Sequence, residues 1–328
     1  MGFDSLPGLK TSWMKKLWLI GLCILTAGAV SCSKLAEDGP GTGEALIVLP
    51  CSAQTKSAVS GGTLPDDYTI YLSSYFRNET GNEFSGNYFS GEPFRRTSDG
   101  WSASPIIYWP LGGSLDFLAV ASKEIDVKEK AYWYEGNVTR SVEVPVPDGQ
   151  CLESEIMYAC ASSRRCTEGT VGLQFSHSQS WIQFDVASFL PNTTRIDSIV
   201  VNKAYLGGSL KIENGVFLDA RWDFRGKFKT DYTIPQSRGI VLNEEVQTMD
   251  ILLPEQDACD ITIWFTQKDE DEPSWEGYSR KTSYTVKANP DPWFAGIKTV
   301  YTMIILKQVS VQISVHNWED NDKQVIIN

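Results

Sequence analysis

Imidazoles, thiols and carboxylates are the side chains here that could do chemistry, and their arrangement does not favour catalysis. The chain of 328 residues has two histidines, His177 and His316, and seven cysteines. Neither histidine stands beside a serine or cysteine in a recognised nucleophile setting. No Gly-rich phosphate loop, HExxH segment or nucleophile elbow occurs. Carboxylates are plentiful, but a glycosidase needs two at a set distance across a cleft, which spacing along the chain does not supply. Two acidic runs, Asp269–Glu272 and Glu319–Asp322, offer oxygens to calcium, yet neither has the EF-hand pattern with its glycine. Both read as solvated loops. The chain is therefore expected not to be an enzyme and to hold no metal or cofactor. Cys151, Cys160 and Cys166 are close enough in sequence to pair locally, with connectivity open.

One cysteine has a clear assignment. Met14–Cys32 reads MKKLWLIGLCILTAGAVSC, with Lys15 and Lys16 ahead of an apolar run that ends in small residues before Cys32. That is the order of a secretory signal peptide. The run is short for a membrane span, which needs about 20 residues. Ala29-Val30-Ser31-Cys32 resembles a bacterial lipobox. This makes residues 1–32 a leader, with Met14 the working start, and Cys32 the lipidation site. The polar stretch 33–44 suits a flexible tether, and Glu37-Asp38 resembles a surface-export signal. The rest of the chain is then expected outside the cell, lipid-anchored on the outer membrane, where disulfides are permitted.

Composition excludes other partners. The net charge is −12 and the hydrophobic content 42%, enough for a packed core. Residues 1–32 hold three lysines and one acid, so the part beyond Cys32 is more acidic still. Such a surface repels nucleic acid and anionic lipid headgroups.

From Ala45 onward, short runs rich in Val, Ile, Tyr, Phe, Trp and Thr alternate with Gly, Pro, Asn and Asp clusters, as many short strands do. Predicted strands are Ala45–Leu49, Tyr68–Leu72, Ile106–Trp109, Leu115–Ala121, Ser141–Val146, Thr170–Phe175, Trp181–Val186, Asp197–Val201, Ser209–Glu213, Val216–Leu218, Asp260–Phe265, Thr282–Val286, Val300–Leu306 and Val309–Val315. Trp181–Val186 and Val309–Val315 alternate with period two, as half-buried antiparallel strands should. An all-β fold of sandwiches or barrels follows. The polar segment SSRRCTEGT near the midpoint divides a first domain, 45–168, from a second, 169–328. Most tryptophans fall inside predicted strands and read as packing. Trp275, in the loop DEDEPSWEGYSR, is the candidate for an exposed platform that contacts a glycan.

Four segments, in order, resemble the fimbrillin (Mfa-like) family of Bacteroidales, the subunits of type V pili and related surface lipoproteins. They are Ile107–Pro110 with Leu115–Ala121; Glu155–Ala159; Leu173–His177; and Phe294–Gly296 with Tyr301–Leu306 and Val309–Trp318. The resemblance covers most of the chain beyond the tether. It implies two tandem transthyretin-like antiparallel β-sandwich domains. It also implies a structural and adhesive pilus component, as anchor, tip or stalk subunit. Its partners would be other pilus subunits, joined by β-strand addition, the outer membrane, through the lipid, and a host or bacterial surface ligand. In the family a protease removes the first strand and a strand of the next subunit fills the groove. Here that strand is Ala45–Pro50. The family's cut follows arginine, but Lys56 is the only basic residue between Leu35 and Phe76. Lys56 is thus the candidate maturation site, with Arg95-Arg96 a second one well inside the first domain. Without a cut the strand stays, giving an anchor or terminal subunit. The alternative is a surface glycan-binding lipoprotein of a polysaccharide uptake system.

Overall fold

The computed structural model describes residues 45–49, 54–55, 64–78, 84–110, 112–123, 125, 127, 132–135, 140–152, 154–189, 193–214, 218–243, 245–269, 271–272, 274–275, 280–306, 309–317 and 325–327. They form four sheets, antiparallel apart from two neighbouring pairs. Sheet I runs, in spatial order, β1 (Gln54–Thr55), β9 (Gln174–His177), β8 (Ile156–Arg164), β5 (Ser114–Ser122), β2 (Thr69–Arg77), β3 (Phe84–Thr97) and β4 (Gly100–Ala103). Sheet II runs β13 (Leu218–Asp223), β12 (Gly208–Asn214), β7 (Arg140–Val146) and β6 (Tyr132–Glu135). Sheet III runs β16 (Gln247–Pro254), β10 (Gln179–Ala187), β19 (Ile297–Ile305), β20 (Val309–Asn317) and β21 (Val325–Ile327). Sheet IV runs β14 (Thr230–Thr233), β11 (Thr194–Ala204), β17 (Ile261–Gln267) and β18 (Arg280–Val286), with β15 (Ile240–Val241) also paired to β11. The parallel pairs are β1 with β9 and β10 with β19. The all-β expectation holds, and no helix among the described residues is long and apolar enough to cross a membrane.

The apolar side chains explain how the sheets stack. Ile182, Phe184, Val186, Tyr301 and Met303 of sheet III face Ile196, Ile199, Val201, Ile261 and Ile263 of sheet IV in one core. The rings of Phe184 and Tyr301 stack at 5.6 Å there. Sheet I is covered on both sides. Ile70, Leu72, Phe117, Ala119 and Phe175 point into one core. Tyr71, Leu118 and Val120 point the other way, against Val142, Val144, Leu210 and Ile212 of sheet II. This is why all nine residues of β5 are buried and why SLDFLAVAS reads as a run rather than an alternation. The β12–β13 hairpin, from beyond residue 168, completes the sheet that β6 and β7 begin before it. Likewise β9 pairs with β8 in sheet I. Backbone pairing therefore crosses the polar segment on which the domain division rests.

Most predicted strands are present, often longer at both ends. β3 was not anticipated, because GNYFSGEPF is punctuated like a turn. The strand absorbs those residues through register shifts against β2. Of Ile106–Trp109, only Tyr108 forms a bridge, and the strand expected from Thr170 begins at Gln174. Both segments bond instead to the inserted residues described below.

One buried charge lies within sheet I. Asp116 is 2% exposed. Its carboxylate accepts from Arg77 Nε and, at 2.7 Å, from the backbone N–H of Ser163, which takes a positive φ of 56° at a bulge of β8. Asp116→Ala would remove the carboxylate that pairs with the Arg77 guanidinium and the Ser163 N–H. It should cost about 3 kcal/mol in urea unfolding, with the m-value unchanged.

The described thiols Cys160, Cys166 and Cys259 are free, so Cys160 and Cys166 do not pair. Cys259 is buried, and burial pushes its thiol up to about 11. At pH 8 it should therefore stay protonated and unreactive. Iodoacetamide is expected to label exposed Cys166 promptly and Cys259 only in denaturant, read by peptide mass spectrometry.

Candidate functional site

The feature that stands out is a short segment held in the first core as a guest. Residues 45–49 lie in a slot between the 101–109 stretch and Val171. On one side the N–H of Ile47 donates to the Ile107 carbonyl at 2.9 Å, and the N–H of Trp109 donates to the Ala45 carbonyl at 2.9 Å. Leu49 and Trp101 exchange both backbone bonds at 3.0 Å. On the other side the N–H of Val171 donates to the Val48 carbonyl at 3.4 Å. Period-two geometry then sends alternate side chains inward. Ile47 and Leu49 are 2% and 0% exposed, whereas Leu46 is 44% exposed. The inward pair shares its core with Leu64, Phe94, Trp101, Trp109, Val171 and Leu173. Burying two such aliphatic side chains is worth roughly 3–6 kcal/mol.

Gly100 permits the close approach. Its φ is +138°, and a Cβ there would sit 2.2 Å from the Leu49 carbonyl oxygen. Trp101, its neighbour, is fully buried and forms the floor. The slot is thus shaped in both backbone and side chain for one extended strand with aliphatic residues two apart.

A buried polar cluster fixes the passage from sheet I to sheet III. His177, Ser178, Gln179 and Ser180 are all buried, His177 the most exposed of them at 6%. His177 Nδ1 meets the Glu155 carboxylate. Ser178 Oγ donates to the Ile156 carbonyl at 2.7 Å. Gln179 Oε1 accepts from the Ile156 N–H at 2.7 Å. The Gln179 carbonyl accepts from Gly296 N–H at 2.9 Å, and Ser180 Oγ donates to the Trp293 carbonyl at 2.7 Å. From the hairpin, Trp222 Nε1 donates to the Ser178 carbonyl at 2.6 Å. These hydrogen bonds between side chains and distant backbone make the joint specific in geometry. His177 accordingly serves packing.

The residues singled out from sequence are not brought together. Cys32 and Lys56 lie outside the described residues, as does Glu319–Asp322. β1 ends just before Lys56. Trp275 is half-buried, and its ring is engaged by cations, with the Arg195 guanidinium at 5.1 Å and Lys268 Nζ at 5.4 Å. His316 is half-buried, with Nε2 at 3.1 Å from Ser314 Oγ. The Asp269–Glu272 run closes a turn, in which Glu272 N–H donates to the Asp269 carbonyl at 3.1 Å. Among the described residues no group of three or more His, Cys, Asp or Glu side chains could hold a metal ion. Gly100, Val171 and the 177–180 joint were not anticipated. No local motif around Gly100 announces what presses against the glycine.

Comparisons with known proteins agree with this architecture. A candidate cell adhesion protein from Bacteroides uniformis superposes with a TM-score of 0.54 at 15% identity, over 84% of this chain and 100% of that one, and shows a shared fold. A fimbrial protein from Bacteroides vulgatus gives 0.48 at 14% identity, over 83% and 99%. The tip fimbrial protein Mfa3 from Porphyromonas gingivalis, with C-terminal truncation, gives 0.37 at 10% identity, over 84% and 99%. No curated protein matches. Residues 59–318 match the model of the fimbrillin-like family, and the chain belongs to that family.

Proposed function

We propose that the chain is a lipid-anchored subunit of a cell-surface fimbrium, structural and adhesive, that joins its neighbours by β-strand addition. The observation that supports this reading is the guest-like seating of residues 45–49. They are held by a handful of backbone bonds and two buried side chains, and they precede the family-matched region, which begins at residue 59.

In this reading Cys32 carries the lipid and the chain reaches the outer membrane. A cut at Lys56 separates the guest segment from the body of the protein. Its departure opens a slot lined by unpaired ladder groups of Trp101, Ile107, Trp109 and Val171 and by two empty aliphatic pockets. A strand of the next subunit pairs with those groups and fills those pockets, the general physics of strand addition at an open edge. If Lys56 is not cut, the slot stays filled, and the subunit ends or anchors the fibre.

A chain beginning at Ser57 should form SDS-resistant multimers that dissociate on boiling, while a chain beginning at Ser33 stays monomeric. A peptide spanning residues 45–50 should block the ladder, and the same peptide carrying the Leu49→Asp change should not. A truncated chain that is folded yet monomeric by light scattering would overturn the assembly mechanism. Separately, Cys32→Ala should abolish palmitate incorporation and release the protein from the membrane fraction. Labelling at the wild-type level would reject the anchor.

A further inference from the structure

A second recess lies far along the chain from the guest strand. It is an open cleft of about 520 Å³ where β12, β13 and the following loop meet. Its walls combine three aromatic residues, Tyr205, Trp222 and Phe224, with three cations, Lys211, Arg221 and Arg225, against one carboxylate, Asp223. Acids pair with all three cations, and the two arginines still keep much of their side chains exposed.

The cleft is rigidly built. The Tyr205 and Phe224 rings stack in parallel, 4.1 Å apart with an interplanar angle of 3°. Gly208 makes room for them, since a Cβ there would lie 3.1 Å from the Phe224 ring. Gln256 holds both backbone groups of Tyr205, at 2.8 and 3.0 Å. Trp222 is tied to Ser178. Arg225 and Lys211 converge on Asp223, with nitrogen–oxygen distances of 2.5 and 2.9 Å. These two cations, the arginine most of all, hold its carboxyl far below the usual range. Arg221 bridges Glu213 at 2.6 Å and Asp219 at 3.2 Å, and Lys211 also reaches Glu143 at 3.6 Å. The paired acids thus orient the cations. The Arg225 and Arg221 side chains remain 82% and 54% exposed, so each guanidinium keeps N–H donors directed to solvent. Aromatic ring edges, which carry partial positive charge, add to the preference for an anion.

The same loop presents Phe228, which is 85% exposed. It stands between Lys227, paired to Asp148 at 3.0 Å, and Lys229, whose ammonium lies 5.2 Å from the Tyr205 ring. An aromatic ring that is this exposed, on a loop pinned at both ends, has no packing role. It offers a face to the C–H side of a sugar ring, while an arginine fork suits a carboxylate bidentately.

We propose that this cleft, with Phe228 at its rim, binds a carboxylate-bearing saccharide. The assignment is independent of strand addition, since none of its residues touches the slot.

The test uses the full chain beyond the leader, with immobilised 3′-sialyllactose, digalacturonate, neutral lactose and poly-glutamate as probes. At least one acidic saccharide should bind about tenfold or more tightly than lactose, and binding should weaken with salt. Arg225→Glu should lower that affinity about tenfold or more, and Phe228→Ala about threefold or more, with near-UV circular dichroism unchanged. Lys281→Ala, on the distant β18, should bind as the wild type. The proposal is overturned if neither acidic saccharide is retained. It is equally overturned if lactose or poly-glutamate binds as well, or if Arg225→Glu and Phe228→Ala bind normally while folded.

Discussion

Backbone hydrogen-bonding groups in a buried slot must be paired, and the first half of this protein is organised around that constraint. Trp101, Ile107, Trp109 and Val171 present ladder groups to a slot whose Trp101 end is buried, and the residues that satisfy them come from a segment of only a few amino acids. Unmade, those bonds would cost the desolvation of each group. Filling the slot therefore stabilises this half of the fold. Ile47 and Leu49 supply the side chains that fill it, and Gly100 defines how near the strand must come. That seating of residues 45–49 is the feature on which the proposed strand-addition role rests.

The same requirement for pairing runs through the joint between sheets. β5 is buried on both faces because sheet II covers what the guest-strand core does not. Sheet II in turn needs the β12–β13 hairpin, contributed from beyond residue 168. The chain passes from sheet I to sheet III through His177–Ser180, with serine, glutamine and histidine groups bonded to backbone or carboxylate partners. Backbone pairing across the midpoint and a buried polar joint thus tie the two halves together by directional bonds as well as by apolar packing.

Charge is distributed with a purpose that totals conceal. The chain is strongly acidic, yet cations meet aromatic rings at several places, two of which contrast. Arg195 and Lys268 lie over Trp275, and Lys211, Arg221 and Arg225 surround the Tyr205–Phe224 stack. In the first the cations occupy the ring. In the second the cations pair with acids instead, and Phe228 is left bare. The tryptophan most visible in sequence is thus the more engaged aromatic, and a phenylalanine without any motif is the more available one.

By itself the sequence determined the all-β class, most strand positions and the family. Period-two alternation in Trp181–Val186 and Val309–Val315 and the ordered segments around Tyr108-Trp109-Pro110, Met157-Tyr158-Ala159 and Phe175-Ser176-His177 are local signals, and local signals survive in a linear string. It did not determine that 45–49 is a guest between 101–109 and 171, that Gly100 faces a carbonyl, that a hairpin crosses the midpoint, or that Tyr205 stacks on Phe224. Those are contacts between residues tens of positions apart, and only the tertiary structure decided them, because no residue type encodes which distant backbone will lie against it.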